Sequence, residues 1–339
     1  FDPKVVAITG SYGTTSTKTI VAHLLSDQMS VLASPASFNN RLGLARAINE
    51  HLTAGTDLFV AEMGTYGPGE IRELCSWITP DVAVITALGP VHLERMGSLE
   101  TIATAKREIL EAAPVAVVAV DHPLLADVAT EEAGSRRVIT VSGDGRPAEV
   151  SVSSDGLVTI EGKAVGRFDT GQAHPGNVAC AVGVVLAVGG DVAGAVDRLG
   201  DLPPVPHRRS IGRSEVGFDI VDDTFNSNPA GAEAAIDLLM TLGSPAGRKV
   251  VVTPGMVELG KQQAAENRRF AVLAAARGVT DLVVVNRTNR AALVAGAREG
   301  GMRSVILLDT RDDAVRWVRE TLVEGDAVLY ENDLPDHYP

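Results

Sequence analysis

The chain has 339 residues, of which 45% are hydrophobic and 22% are charged. This length exceeds the size at which single hydrophobic cores usually stop growing, so two domains are expected. The formal net charge of −13 disfavours non-specific binding to nucleic acid or to anionic lipid, which needs clustered Lys and Arg. We therefore expect no nucleic-acid partner.

Membrane insertion and disulfide bonding are not indicated. The longest weakly polar run, residues 178–190, is shorter than the roughly 20 residues that cross a bilayer, so it predicts a buried helix. The only cysteines, Cys75 and Cys180, are far apart in apolar patterns, which favours neither a disulfide framework nor a cysteine metal site. With no signal peptide before the first strand, we predict a cytoplasmic protein.

In the first half of the chain, β-branched segments alternate with amphipathic helical patterns. Strands are predicted at 5–9, 58–63, 82–88 and 115–120, and helices at 69–78 and 98–113. This βαβ pattern is typical of a mostly parallel sheet covered by helices. The turn-rich residues 138–170 predict an antiparallel extension of that sheet.

The proline-rich stretch LPPVPH, residues 202–207, is the predicted linker. After it the alternation restarts, with strand-like segments FDIVDD, KVVVTP, DLVVVN, SVILLD and DAVLYEN separated by helical patterns. The predicted fold class is therefore α/β. It comprises a central P-loop-type domain with a mostly parallel sheet at 1–205 and a C-terminal Rossmann-like, doubly wound domain at 206–339.

A glycine-containing loop follows the first predicted strand, within ITGSYGTTSTK at 8–18. Gly10 and Gly13 allow the backbone to approach an anion, and the amides at the start of the next helix point towards it. The hydroxyl of Thr15 suits binding to Mg²⁺. The alternative is a tight strand-to-helix turn capped by Ser and Thr.

Thr14 occupies the position where such a loop usually has its lysine, so the strict G-x-x-x-x-G-K-[ST] pattern is absent. Lys18 comes one helical turn later and is expected to point down the helix, away from the anion. The loop alone therefore leaves both interpretations open.

Polar residues follow two of the predicted strands. Glu62 closes LFVAEMG, and His92 follows VITALGP. Because the ends of parallel strands meet at one edge of a sheet, both side chains could reach a metal shared with the phosphate loop. Taken singly, Glu62 is better explained as a solvated carboxylate, His92 as a loop residue and Lys106 as a surface lysine. Taken with the loop, Glu62 and His92 instead favour a shared site.

In the second half, Asp222 and Asp223 end a predicted strand and could instead be acids that face a helix dipole. Arg208 and Arg209 follow the linker. They could be solvated charges or could pair with a phosphate across the domain gap.

Together these segments resemble the Mur ligase family, in family order and over nearly the whole chain. The matching stretches are ITGSYGTTSTK, SFNNRLG, VAEMGTYGPGEI, PDVAVITALGPVHLERMGSLETIATAK, HRRSI, DDTFNSNPAGAEAAIDLL, PGMVELG and YENDLPDHYP. The resemblance is greatest to members that add D-alanyl-D-alanine to peptidoglycan precursors. It implies an ADP-forming ligase that uses ATP to join a carboxylate to an amine, an amino acid or dipeptide, through an acyl phosphate.

The resemblance also implies a set of site residues. Its phosphate loop comprises Gly10, Ser11, Tyr12, Gly13, Thr14, Thr15 and Ser16. The implied metal ligands are Thr15, Glu62, His92 and Lys106, the lysine being carbamylated in many members. Catalytic roles are implied for Lys106, His92, Asn39 and Asn40, and contacts to nucleotide or substrate for Asn177, Arg208, Asp223 and Asn226. ATP and Mg²⁺ are the implied cofactors, and the cleft between the two domains is the implied site.

Three departures from the family pattern leave alternatives open. Thr14 replaces the loop lysine, and loss of a positioned donor can cost about 3 kcal/mol in the transition state. The purine-contacting motif H-N-x-x-N keeps only Asn177 in register. The family's N-terminal substrate domain has no counterpart, so either the chain is truncated or it acts on a smaller acid. The alternatives are a catalytically impaired, nucleotide-binding scaffold and a ligase of specialised metabolism.

Overall fold

The computed structural model describes residues 2–170, 173–203, 210–224 and 228–333. The chain divides into two compact units, Phe1–Pro203 and Pro204–Pro339. The predicted boundary at 205/206 lies outside the described residues. Both units are α/β, as the sequence predicts.

A single mixed sheet forms the centre of the first unit. Within the described residues its strands are β1 (Lys4–Thr9), β2 (Val31–Ala33), β3 (Leu58–Glu62), β4 (Val82–Ile85), β5 (Val115–Ala119), β6 (Arg137–Ser142), β7 (Val150–Val152), β8 (Leu157–Ile160) and β9 (Lys163–Arg167). Their order is β2-β3-β1-β4-β5-β6-β7-β8-β9. The pairs from β2 to β7 are parallel, which brings the carboxyl ends of β1, β3 and β4 to one edge.

Helices cover both faces of this sheet. They are α1 (Thr14–Leu25), α2 (Arg41–His51), α3 (Glu70–Trp77), α4 (Leu93–Met96), α5 (Leu99–Arg107), α6 (Pro123–Glu132), α7 (Pro175–Val188) and α8 (Val192–Asp197), with 3₁₀ turns at Glu108–Leu110 and Arg198–Asp201. Side chains of α1, α7 and α8 pack in one core, and those of α2 to α6 pack in the other. The helix predicted at 178–190 is confirmed as α7, whose middle is fully buried.

The prediction for residues 138–170 is correct only in part. β6 continues the parallel sheet, and β7 also pairs with it in parallel. Only the β7–β8 and β8–β9 pairs are antiparallel. The turn residues of this stretch predicted antiparallel pairing throughout, but alternation of residue types does not encode strand direction.

The second unit has its own sheet, with strands β10 (Ser210–Arg213), β11 (Asp219–Asp223), β12 (Lys249–Thr253), β13 (Asp281–Val285), β14 (Ser304–Leu308) and β15 (Ala327–Glu331). The described strands are ordered β10-β11-β15-β12-β13-β14, and every pair except β10–β11 is parallel. The five parallel strands confirm the predicted segments, whereas the short edge strand β10 was not predicted.

Helices also cover both faces of the second sheet, as a doubly wound fold requires. They are α9 (Pro229–Thr241), α10 (Gln263–Arg277), α11 (Arg290–Glu299) and α12 (Arg311–Thr321), with a 3₁₀ turn at Gly260–Gln262. α9, α10 and α11 pack on one face, and α12 packs on the other. Among the described residues, no helix has both the length and the apolar composition needed to cross a bilayer.

Helix α1, which follows the glycine loop, is held against the sheet by its buried face. Leu24 is fully buried there, whereas Leu42 at the start of α2 is 73% exposed. We expect Leu24→Ala to lower the free energy of unfolding of the first unit by about 2–5 kcal/mol, because it leaves a cavity. Leu42→Ala should change it little.

Denaturant titrations of Trp77 fluorescence, with Trp317→Phe in the background, would measure both variants. Equal effects of the two substitutions would contradict the packing assignment.

Candidate functional site

The glycine loop joins β1 to α1 at the carboxyl edge of the first sheet. Gly13 precedes the first residue of α1 with a positive φ of 78°, a conformation that favours glycine. The amide of Ser11 donates to the carbonyl of Ala87 over 2.8 Å, and its hydroxyl donates to the carbonyl of Gly89 over 3.1 Å. The loop is thus tied to the segment that follows β4, and the free amides of α1 begin beside it.

Two close contacts require the loop glycines. A Cβ on Gly10 would lie 1.9 Å from Oγ1 of Thr86, and a Cβ on Gly13 would lie 2.1 Å from Oδ1 of Asn177. Asn177, near the start of α7, is therefore against the loop although it is distant in sequence. The structure brings this predicted binding residue to the predicted phosphate loop.

Glu62, at the end of β3, contacts four other side chains at this edge. It is 3% exposed. Its Oε1 accepts from the hydroxyls of Thr14 over 2.9 Å and Thr15 over 3.1 Å, and from the Asn39 amide over 3.5 Å. Its Oε2 accepts from Thr15 over 3.0 Å and from the Lys18 ammonium over 2.9 Å.

Lys18 is a site residue that sequence reasoning placed outside the site. It is 3% exposed, and its ammonium also donates to the carbonyl of Ala36 over 2.6 Å. The prediction that its side chain points down the helix did not anticipate this contact with Glu62. A signal was present, because residues three and four apart share a helix face and Lys18 follows Thr14 and Thr15 at those spacings.

The adjacent asparagines Asn39 and Asn40 have different positions. Asn39 faces Glu62, and its carbonyl accepts from the amide of Gly64 over 2.8 Å. The side-chain oxygen of Asn40 instead accepts from the amide of Gly43 over 2.9 Å, which caps the start of α2. In this structure Asn40 therefore serves the helix, and Asn39 lies beside the carboxylate.

Lys106, on α5, is buried and reaches the same loop. Its ammonium donates to the carbonyl of Gly10 over 2.8 Å. Burial lowers the pKa of Lys106 to about 8. Because the charged form loses hydration there, a larger fraction of this amine is neutral near pH 7 than for an exposed lysine.

His92 precedes α4 with a positive φ of 54°. Its ring packs edge-on against Tyr66, with 4.6 Å between ring centroids, and the guanidinium of Arg95 lies 4.8 Å from the centroid of the same Tyr66 ring. Sequence reasoning named His92 but not Tyr66, which gave no periodic signal in its loop.

The donors around the loop are compatible with a Mg²⁺ ion. The hydroxyl of Thr15 and the carboxylate of Glu62 are hard oxygen ligands, and the hydroxyl lies 3.1 Å from Oε1 and 3.0 Å from Oε2. Within the described ranges, no three His, Cys, Asp or Glu side chains gather as a metal-binding group. A cation here would take its remaining ligands from other groups, as Mg²⁺ does when it binds with phosphates and water.

At the edge of the second sheet, the strand ends bring two carboxyl groups together. Asp223 of β11 pairs in register with Glu331 of β15, and the exposed fractions of the two residues are 8% and 0%. The hydroxyl of Thr253, at the end of β12, donates to Glu331. Burial and the Asp223 charge raise the pKa of Glu331 to about 8, although the Thr253 hydrogen bond opposes the shift. The predicted residues Arg208 and Asn226 lie outside the described residues.

Comparison with known proteins agrees with this geometry. Residues 8–175 match the Mur ligase middle domain, and residues 207–330 match the Mur ligase glutamate ligase domain. The UDP-N-acetylmuramoyl-tripeptide–D-alanyl-D-alanine ligase of Mycobacterium leprae (strain TN) is 32% identical, over 96% of this chain and 70% of that protein.

Two solved structures have the same fold. MurF from Acinetobacter baumannii superposes with a TM-score of 0.81 at 24% identity, over 97% of this chain and 73% of that one. MurF from Thermotoga maritima, in complex with ADP, gives a TM-score of 0.78 at 25% identity, over 98% and 77%.

A loop of this kind beside a strand-end acid, in a chain with a second doubly wound unit, defines a two-unit α/β protein of the phosphate-loop class. The chain belongs to the Mur ligase family.

The raised pKa of Glu331 makes the stability of the second unit depend on pH. The folded unit retains a proton up to about pH 8 that the unfolded chain releases near 4.5. The contribution of this group is therefore fully present below pH 4.5 and is lost as pH rises to 8. We expect Glu331→Gln, which cannot ionise, to be more stable than the wild type at pH 8 by on the order of 4 kcal/mol, and not below pH 4.5.

Trp317 fluorescence in a Trp77→Phe background would follow unfolding of the second unit across this pH range. Glu324→Gln, at an exposed glutamate of the same unit, is the control and should show no such trend. A Glu331→Gln difference that stays constant with pH would contradict the assignment.

Proposed function

We propose that this chain carries the catalytic units of an ATP-dependent ligase that joins a carboxylate to an amine and releases ADP and phosphate. We propose as its reaction the addition of D-alanyl-D-alanine to a peptidoglycan precursor, by analogy with the relative that is 32% identical. The observation that supports it most directly is the loop itself. Asn177 packs against Gly13, and the Thr15 hydroxyl is hydrogen-bonded to Glu62.

The chemistry needs an activated acid. A carboxylate oxygen attacks the γ-phosphorus of ATP, ADP leaves, and an acyl phosphate results. The amine nitrogen then attacks the acyl carbon to give a tetrahedral intermediate, which expels phosphate as the amide forms. The loop amides and the N-terminal end of α1 would hold the nucleotide phosphates, because both present partial positive charge to an anion.

We propose that Thr15 and Glu62 hold Mg²⁺, and that His92 and Lys106 contribute to a second metal position. When bound, the metal would neutralise charge on the transferring phosphoryl group. Asn177 would contact the purine, and Asp223, with Arg208 and Asn226, would contact nucleotide and substrate.

The burial of Lys106 suits the carbamylation known for the family. Only a neutral amine can attack carbon dioxide, and the lowered pKa of about 8 provides that form near neutral pH. A nitrogen–carbon bond forms and a proton is released, so that the cation becomes an anionic carbamate. The product could then bind a cation, which the ammonium cannot.

Thr14 takes part in the site, because its hydroxyl donates to the Glu62 carboxylate. The similarity to D-alanyl-D-alanine-adding ligases supports an active enzyme of that type. It does not favour a catalytically impaired scaffold or a ligase of specialised metabolism. We propose that Thr14 neutralises less of the phosphate charge than a lysine at this position would, because a hydroxyl carries no positive charge.

The test of the ligase is ADP release on incubation with ATP, Mg²⁺ and a panel of acid and amine pairs that includes UDP-muramoyl-tripeptide with D-alanyl-D-alanine. We expect release that requires all four components and is lost by about 10²-fold or more in Glu62→Gln, because the substitution removes an anionic ligand of the metal that would neutralise charge on the transferring phosphoryl group. No ADP release with any pair, by either the wild type or Thr14→Lys, would count against the proposal.

For the loop, we expect Thr14→Lys to raise ATP affinity or turnover by about 10-fold or more, since it supplies an ammonium to the phosphates. Thr14→Ser retains the hydroxyl and is the matched control, with little change expected. Calorimetry with ATP and Mg²⁺, together with steady-state ADP release, would measure both quantities. If lysine lowers both, the loop has adapted to Thr14.

A further inference from the structure

Lys18 divides the Glu62 carboxylate into two unlike oxygens. Its ammonium lies 2.9 Å from Oε2, and the side chains of both residues are 4% exposed. Oε1 instead accepts from the hydroxyl of Thr14 and the amide of Asn39, and the Thr15 hydroxyl contacts both oxygens, over 3.1 Å to Oε1 and 3.0 Å to Oε2. Oε2 is therefore paired with a buried cation, whereas the partners of Oε1 among the described residues are hydroxyls and an amide.

The arrangement around Lys18 is fixed by the neighbouring backbone. The ammonium also donates to the carbonyl of Ala36 over 2.6 Å and lies 3.5 Å from Oγ of Ser34. The same Ser34 oxygen accepts from the amide of Glu62 over 3.2 Å. Three acceptors, from Ala36, Ser34 and Glu62, therefore hold the ammonium beside Oε2.

We propose that Lys18 restricts Glu62 to ligation through a single oxygen and thereby favours Mg²⁺ over Ca²⁺ at this loop. The inference rests on the proposed function, in which Thr15 and Glu62 hold the metal. Lys18 is a positioning residue in this account, because it acts on the cation only through Glu62.

The physical basis is the different coordination of the two cations. Mg²⁺ requires a compact octahedron, retains several waters and is bound through one or two carboxylates together with phosphates. Ca²⁺ takes six to eight oxygens and commonly binds a carboxylate through both. With Oε2 occupied by an ammonium, Ca²⁺ loses the second oxygen, whereas Mg²⁺ loses nothing that it needs.

The charge of Lys18 also lowers the attraction of Glu62 for any cation, since one positive charge is already 2.9 Å from the carboxylate. This effect is similar for both ions of charge +2. The Mg²⁺ to Ca²⁺ affinity ratio therefore separates the geometric effect from the electrostatic one.

The experiment measures Mg²⁺ and Ca²⁺ affinities of the full chain with a non-hydrolysable ATP analogue, by calorimetry, with the analogue alone subtracted. Lys18→Met should shift the affinity ratio towards Ca²⁺ by about 10-fold, and Lys18→Gln, whose amide can still donate to Oε2, by less. Lys249→Met is the matched control, a buried lysine of the second unit that donates to the carbonyl of Leu242, and should leave the ratio unchanged.

Each outcome is decisive. An equal change in both affinities in Lys18→Met, whether stronger or weaker, would mean an electrostatic or structural role only and would overturn the inference. If the wild type with the analogue prefers Mg²⁺ no more than the analogue alone does, the inference is also overturned. This measurement does not require either Lys18 variant to fold. A wild type that binds neither cation with the analogue would instead overturn the proposed metal site itself.

Discussion

The burial of one carboxylate organises the loop edge of the first unit. Glu62 is 3% exposed at the end of β3, where an unpaired charge would be very unfavourable. The groups that satisfy it come from α1 and from the segments that follow β2, so a single side chain joins separate elements. The position of the glycine loop relative to the sheet therefore depends on how this charge is paired.

The two sheets bury an acid at the carboxyl edge in different ways. In the first unit, the Lys18 ammonium lies 2.9 Å from one oxygen of the Glu62 carboxylate and gives the buried acid a positive partner. In the second unit, Glu331 lies beside Asp223 and accepts a hydroxyl donor, and its pKa is raised to about 8. The first arrangement pairs the acid with a positive charge, and the second favours a neutral acid.

Much of the fold could be predicted from local pattern. The β-branched runs that became β1, β3, β4 and β5, and the five parallel strands of the second sheet, were recognised because each is short, apolar and bounded by turn residues. The direction of β7 and the presence of β10 were not recognised. Strand direction depends on pairing partners, and β10 is an edge strand of four mostly exposed residues with little apolar pattern.

The sequence by itself determined the glycine loop, the strand-end acids and the family resemblance, because these are patterns of neighbouring residues. Only the tertiary structure decided that Lys18 pairs with Glu62, that Asn39 rather than Asn40 faces the carboxylate, and that Asn177 packs on Gly13. The physical reason is that these contacts join residues far apart in the chain. Sheet register and helix placement set them, and neither is encoded in local spacing.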